Sequence, residues 1–186
     1  KKALRFQVRK IAGVIVTHKH GDHAAFVHEY MEAGIPVFRP YEAESLRQSI
    51  RYGGFRIQSW EAVHNVPCVG YLIDHDDFGR MLYVTDTEYV KYRFKGITQF
   101  LIEANYSDEY VDREEAKYEH VLTGHMELQT TIGCILANQS EQTKRITLCH
   151  LSAGNADPET FKTAVEAIAV DGCIVDVARP GMAIEL

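Results

Sequence analysis

Residues 17–23 constrain this chain more than any other stretch. They spell Thr-His-Lys-His-Gly-Asp-His and place three histidines and one carboxylate within six positions. The apolar run that precedes them, residues 11–16, predicts a buried strand. Imidazole and carboxylate are ligands for zinc, manganese and iron, so the grouping indicates a metal site at a strand end rather than a histidine-rich surface loop.

The spacing within this stretch adds a second expectation. Side chains alternate along an extended chain, so His18 and His20 are expected to point the same way. A turn at Gly21 would then direct Asp22 and His23 toward a second point nearby. One short loop could therefore supply two ligands to each of two metal ions.

Composition limits the classes of protein to consider. The chain has 186 residues, which suits a single domain spanning 1–186, and 46% of them are apolar. No apolar run approaches the ~20 residues of a transmembrane helix, and the first residues do not resemble a signal peptide, so we expect no membrane association. Four cysteines without a CxxC pair predict reduced thiols in a cytoplasmic protein.

Charge argues against a chain that binds nucleic acid over its whole surface. The formal net charge is −6, so no global basic footprint exists. A local basic track that includes Lys91, Arg93 and Lys95 could still bind phosphates.

Strand and helix patterns alternate, which predicts a layered α/β arrangement. Helices are predicted at 22–33, 41–50, 108–119, 127–137 and from Pro158 onward. Strands are predicted at 35–38, 55–64, 69–73, 81–85, 100–103, 145–149, 173–177 and 182–186.

Further metal ligands are expected where polar residues follow predicted strands. His64, Asp86 and His150 each appear once after an apolar run of this kind. A lone histidine at a strand end is more often structural, but three such residues together match the needs of the first motif. We therefore group them with residues 17–23.

Together, these residues resemble the motifs of a known family. The His-x-His-x-Asp-His pattern of residues 18–23, followed in order by His64, Asp86 and His150, is similar to the motifs of the metallo-β-lactamase superfamily. Segments 66–73, 83–87, 102–105, 123–126 and 149–152 look like those of its WalJ/YycJ-type hydrolases of bacteria and phages. Members of that group are described as DNA exonucleases or simply as hydrolases.

The resemblance implies a four-layer αβ/βα sandwich and two divalent metal ions, zinc favoured and manganese as the alternative. It assigns His18, His20 and His64 to one metal, Asp22, His23 and His150 to the other, and Asp86 as a bridge. The family normally has several strands before its first histidine motif. The chain is therefore expected to lack the usual N-terminal strands.

The remaining candidates follow from the chemistry of such a site. Two metals ~3.5–4 Å apart can hold a bridging hydroxide and clamp a phosphodiester. Asp22 could also orient or deprotonate the nucleophile. His125 resembles the proton-donating histidine of phosphodiesterases in this superfamily, and a helix-capping or surface role is its alternative.

Four polar residues complete the predicted site. Glu103 and Asn105 could orient the histidine ligands, although polarity at a strand end explains them equally well. Ser152 and Asn155 could contact a phosphate before a helix N-terminus, and helix capping is their alternative.

Three functions remain open from the sequence. The leading one is a metal-dependent phosphodiesterase, a DNA exonuclease in particular, with nucleic acid as its partner. A small-molecule acyl hydrolase, such as a thioesterase or lactonase, uses the same metal cage. The third is a non-enzymatic metal-binding interaction protein, against which the seven-ligand set argues.

Overall fold

The computed structural model describes residues 7–111 and 123–186. Its helices are α1 (Gly21–Ala24), α2 (Val27–Glu32), α3 (Leu128–Asn138) and α4 (Pro158–Glu166), with two short 3-10 turns at Val8–Lys10 and Pro40–Glu42. Its strands are β1 (Val14–Ile15), β2 (Val37–Phe38), β3 (Ser49–Tyr52), β4 (Phe55–Ala62), β5 (Cys68–His75), β6 (Gly79–Val84), β7 (Gln99–Glu103), β8 (Arg145–Cys149) and β9 (Ile174–Val177).

A seven-stranded mixed sheet forms the centre of the molecule. Strands β3 to β9 lie in chain order; β3 to β6 pair antiparallel, and β6 to β9 pair parallel. Strands β1 and β2 form a separate parallel pair. The chain therefore has the predicted α/β class, built on one large sheet and one small one.

The two faces of the large sheet carry separate cores. On one face, α3 and α4 contribute Ile135 and Phe161 to a cluster with Leu82 and Leu148. On the other face, Tyr71 and Val69 pack with Phe38 of β2. The Tyr71 hydroxyl also donates to the carbonyl of Val16, 2.6 Å away, which ties the small sheet to the large one. Alternation of apolar residues along β5 thus fills both layers.

Most of the predicted elements are confirmed. Strands β4 to β9 lie where alternating or apolar runs indicated them. Helix α3 begins after Glu127, whose side chain accepts from the backbone N–H groups of Gln129 and Thr130. Helix α4 begins after Asp157, which accepts from Thr160, and carries Pro158 at its first turn. The four cysteines are free thiols, as predicted.

The predicted helix at 41–50 is wrong. The chain forms only the 3-10 turn Pro40–Glu42 there, and Ser49–Tyr52 instead pairs with β4 across the Gly53-Gly54 turn. Two glycines between alternating residues favour a tight hairpin, and Ile50 and Tyr52 pack against the core from it. This tertiary contact outweighs the helical propensity of the preceding residues.

Two further boundaries differ. The helix predicted at 22–33 is divided into α1 and α2 by Phe26 (φ −103°, ψ 10°), and no residue of α2 is buried, so packing does not enforce one continuous helix. The strand predicted at 182–186 is wrong, because after the turn at Gly181 these residues pair with no strand in the part of the chain described. Most of the helix predicted at 108–119 lies outside the described residues, and 108–110 form a turn.

Within residues 7–111 and 123–186, no helix has both the length and the apolar composition that crossing a membrane requires.

Candidate metal centre

Strand direction brings the predicted site residues to one edge of the large sheet. Strands β4, β6, β7 and β8 all run the same way, because β4 and β6 each pair antiparallel with β5 and the last three are parallel. Their carboxyl ends carry His64, Asp86, Glu103 and His150. The loop after β1 reaches the same edge, where the His18 and His64 ring centroids are 4.9 Å apart.

His18, His20 and His64, here called the histidine trio, form the first half of the cluster. His18 Nε2 lies 2.9 Å from His20 Nδ1, and His64 Nε2 lies 3.4 Å from the same atom. Ligand atoms ~2.0–2.1 Å from a tetrahedral zinc ion are separated by ~3.3 Å. These two distances are close to that spacing, and one ligand atom of each of the three residues lies within 4.8 Å of the other two, so the trio could hold one metal ion.

Asp22, His23 and His150, here called the mixed trio, form the second half. His23 Nε2 lies 3.4 Å from Asp22 Oδ2, and one ligand atom of each of the three residues falls within 4.8 Å of the other two. These are the two groups of three that the resemblance assigns to two metals.

Asp86 lies between the two groups. Its Oδ2 is 3.3 Å from His23 Nε2, its Oδ1 is 3.7 Å from His150 Nε2, and it also forms a possible ligand group with His18 and His23. The residue is only 3% exposed, and among the residues described its Oδ2 has no hydrogen-bond partner. A buried carboxylate oxygen in this state is costly unless a cation compensates it. The donor set therefore fits divalent metal.

Two loops that contribute to the cluster contain strained backbone. Asp86 (φ 55°) and His150 (φ 58°) are the non-glycine residues with left-handed backbone among those described. Such conformations cost ~1–3 kcal/mol and persist where surrounding structure enforces them. Both residues turn the chain sharply as it leaves a buried strand, which aims their side chains into the cluster.

Each half of the cluster has its own supporting contacts. In the histidine trio, Thr17 Oγ1 lies 3.0 Å from His18 Nδ1, and His64 Nδ1 lies 2.9 Å from the carbonyl oxygen of Gly124. If each Nδ1 carries the proton, it donates to these oxygens and leaves Nε2 as the metal-binding atom. Neither contact was predicted from the sequence.

Gly124 cannot readily be another residue. Its φ is +86°, and an added Cβ would lie 2.4 Å from His64 Nδ1. Its N–H donates to Glu88 Oε1, and the N–H of Glu88 donates to the carbonyl of Val63. This chain of contacts connects three loops around His64. The only sequence signal for it is a glycine immediately before His125.

Glu103 supports the second half. It is fully buried, and its Oε1 lies 2.8 Å from Nδ1 of both His150 and His125. Its Oε2 accepts from the N–H of Thr87. Asn105 Nδ2 donates to the carbonyl of His150. These are the contacts that the orienting role predicted for the two residues would need, and the role itself stays a prediction.

The two halves differ in electrostatics. Burial, reinforced by the neighbouring His23, lowers the pKa of His18 to about 4, and burial also lowers the pKa of His64 despite its hydrogen bond to Gly124. Burial alone would lower the pKa of His150 and raise that of Glu103. Their mutual hydrogen bond, joined by His125 at Glu103, instead raises the pKa of His150 and lowers that of Glu103.

A cavity of about 340 Å³ opens onto the cluster. Its walls include His20, Asp22, His64, Asn65, Asp86, Asn105, His125, His150 and Ser152. Asn155 contacts Ser152 Oγ through its Nδ2 at 3.2 Å. Of the two predicted phosphate contacts, Ser152 thus lines the cavity and Asn155 supports it.

His125 lies beside two of the candidate metal ligands, Asp86 and His150. Its Nδ1 lies 3.9 Å from Asp86 Oδ1, and its ring stacks on that of His150 with centroids 5.4 Å apart. Asp86, His125 and His150 form a fourth group with the spacing of metal ligands. The residue therefore faces the cavity beside the candidate ligands.

Comparison with known proteins agrees with this architecture. No protein-family profile matches the chain. It is 21% identical over 196 residues to exodeoxyribonuclease YycJ of Bacillus anthracis, a match that covers 90% of this chain and 74% of that protein.

Two crystal structures have a similar fold. The metallo-β-lactamase fold protein YhfI of Bacillus subtilis aligns with a TM-score of 0.67 at 16% identity, over 97% of this chain and 80% of that one. Human tRNase Z, short form, aligns with a TM-score of 0.56 at 15% identity, over 96% and 80%. The chain has the metallo-β-lactamase fold, which confirms the fold that the histidine motif predicted.

Proposed function

We propose that this chain is a metal-dependent hydrolase of phosphodiester bonds, with nucleic acid as its substrate and DNA favoured over RNA. Its fold supports hydrolysis by bound metal ions. The names of two similar proteins, an exodeoxyribonuclease and a tRNase, both refer to nucleic-acid cleavage. The observation that carries the proposal is the position of His125, beside the ligand cluster and hydrogen-bonded to a buried carboxylate.

The histidine trio would hold one divalent ion and the mixed trio a second, with Asp86 between them. Zinc suits the imidazole-rich donor set best, and manganese is the alternative. When bound, the metals supply Lewis-acid polarisation of the phosphodiester and water of lowered pKa. The remaining steps belong to the side chains of the chain itself.

We assign Asp22 to the orientation and deprotonation of the attacking water. Its side chain is 74% exposed, lines the cavity and reaches His23 through Oδ2. Burial acts to raise its pKa, but a backbone hydrogen bond and the nearby histidines lower it below the ordinary value, which keeps the carboxylate ionised. An ionised carboxylate can orient a water molecule and accept its proton.

His125 acts at the other end of the reaction. A departing alkoxide needs a proton, and an imidazolium can supply it. Glu103 Oε1 accepts from Nδ1 of His125, which orients the ring. Nε2 is then the atom that delivers the proton. Ser152 and Asn105 line the same cavity and supply polar contacts for the phosphate.

Replacement of His125 by alanine tests this assignment. We expect a ~10²–10⁴-fold lower turnover on DNA, the usual contribution of a general acid. On the p-nitrophenyl phosphodiester of thymidine the loss should be much smaller, because that leaving group hardly needs protonation. Metal content, measured by elemental analysis, should stay unchanged.

His28→Ala is the matched control, since that side chain is 81% exposed and its Nδ1 lies 3.5 Å from Glu32 Oε1 on the same helix. Equal losses on both substrates would assign His125 to positioning. Loss of metal would make it a ligand. Undiminished turnover on DNA would reject the acid role of His125.

A further inference from the structure

The segment from Tyr89 to Lys95 shows a pattern of alternating exposure. Tyr89, Lys91, Arg93 and Lys95 are exposed, whereas Val90, Tyr92 and Phe94 are partly buried against the core. Alternation of this kind is typical of an extended chain, and it leaves one aromatic side chain and three cations on the outer side. We call these four exposed residues the basic strip.

Packing fixes which side of the segment faces outward. The rings of Tyr92 and Phe94 lie 5.8 and 5.4 Å from that of Trp60, measured between centroids. The N–H of Phe94 donates to Asn138 Oδ1 of α3, and the carbonyl of Lys95 accepts from Arg80. These contacts hold the inner side of the segment against the core, so packing determines which residues of the basic strip are exposed.

The strip begins at the candidate metal centre. Asp86 is three residues before Tyr89, and Thr87 contacts both Glu103 and Tyr89: its N–H donates to Glu103 Oε2, and its hydroxyl donates to the carbonyl of Tyr89. Six residues of extended chain span ~20 Å. The strip therefore leads away from the cavity over a distance that a small substrate would not reach.

The charge of the strip contrasts with that of the chain. The whole chain carries −6, yet Lys91, Arg93 and Lys95 lie on one side of a single segment. Arg47 adds a fourth cation, with its guanidinium 4.9 Å from the Tyr92 ring centroid. Glu61 offsets part of this charge through its ion pair with Lys91.

We propose that the basic strip binds one single strand of nucleic acid and directs it to the metal centre. This inference rests on the proposed function, which it deepens by naming the form of the substrate. A row of cations one residue wide follows one phosphate backbone, and an exposed aromatic ring offers a surface on which a base can stack. That ring belongs to Tyr89, which is 48% exposed and lies three residues after Asp86.

The test compares two variants that lose the same charge. One carries Lys91→Gln, Arg93→Gln and Lys95→Gln. The control carries Lys10→Gln, Arg51→Gln and Arg56→Gln, three exposed cations near the β3–β4 hairpin. Binding of a labelled, phosphorothioate-linked oligothymidylate to the metal-loaded protein is followed by fluorescence anisotropy over a range of salt concentrations.

For the strip variant we expect weaker binding and a salt slope, log K against log[salt], that is smaller in magnitude by about 2, since each phosphate contact contributes ~0.7 for a single strand. The control should change neither the affinity nor the slope. Tyr89→Ala should weaken binding roughly 5- to 100-fold without changing the slope. Turnover of the p-nitrophenyl phosphodiester of thymidine should stay unchanged in all three variants.

The outcomes separate the two proposals. If the native chain hydrolyses neither substrate, the proposed function fails, and the anisotropy series still tests the strip. The strip proposal is overturned if its variant keeps the native slope, if the control loses as much affinity, or if a duplex or polyglutamate competes as well as the single strand.

Discussion

The two halves of the candidate metal centre are held by chemically different neighbours. The histidine trio rests on neutral oxygens, the Thr17 hydroxyl and the Gly124 carbonyl. The mixed trio instead rests on a buried carboxylate, Glu103, which His150 shares with His125. The histidine trio is therefore oriented by neutral hydrogen-bonding groups, and the mixed trio is oriented by a charged carboxylate.

This difference suggests a division of labour. The partners of His18 and His64 are neutral, and burial lowers the pKa of both imidazoles, which favours their uncharged forms. The carboxylate of Glu103 raises the pKa of His150 and also accepts from His125 Nδ1. We infer that the histidine trio anchors a metal, whereas the mixed trio lies on the side where protons move during the reaction.

Replacement of Asp86 is expected to have the largest effect on metal binding, because this residue contacts both halves. Asp86→Ala should lower the affinity for at least one metal by more than 100-fold, beyond the ~10–100-fold typical of outer-shell partners. Folding should survive, since the strands carry the core. The measurements are metal content by elemental analysis and thermal unfolding of the metal-free chain.

Asp86→Asn is the second variant, because asparagine tolerates the left-handed backbone at this position. Asp76→Ala, on an 89% exposed side chain, is the control. Full occupancy of two metals in both Asp86 variants would contradict the bridging assignment.

Glu103→Gln tests the half that depends on charge. Glutamine has the same size, but its single carbonyl oxygen cannot replace both carboxylate oxygens, so either the histidine pair or the N–H of Thr87 loses its acceptor. We expect the affinity of the second metal to fall ~10–100-fold and that of the first to change little. Titration with a chromophoric chelator separates the two binding steps.

An equal loss at both steps would contradict the division between the halves. An unchanged titration would show that neither the charge nor the shared acceptor of Glu103 matters for metal affinity.

Much of the site could be predicted because its signals are local. His18, His20, Asp22 and His23 share one loop, and His64, Asp86 and His150 each follow an apolar strand, so parallel strand direction brings them to one edge. Their predicted roles as ligands stay a prediction, but their convergence is what such a role requires.

The supporting contacts could not be predicted, because they depend on distant segments. His64 and Gly124 meet only after the loops around them are placed by the sheet. Aspartate and histidine adopt left-handed backbone more often than most residues, but residue type alone does not identify Asp86 and His150 as the ones that do so here. The helix predicted at 41–50 failed for the same reason: pairing with β4, a tertiary contact, decides that region.

Thr17→Val tests the neutral contact of the histidine trio, and it is expected to have the smallest effect of these substitutions. Valine keeps the β-branched shape of this buried side chain and removes only the hydroxyl that lies 3.0 Å from His18 Nδ1. Because the partner is neutral and the ring is also held by packing, we expect the affinity of the first metal to fall by about tenfold, the lower end for such partners. The second binding step should not change. If Thr17→Val instead weakens both steps as strongly as Glu103→Gln does, the neutral and charged neighbours act alike, and the two halves form one cooperative unit.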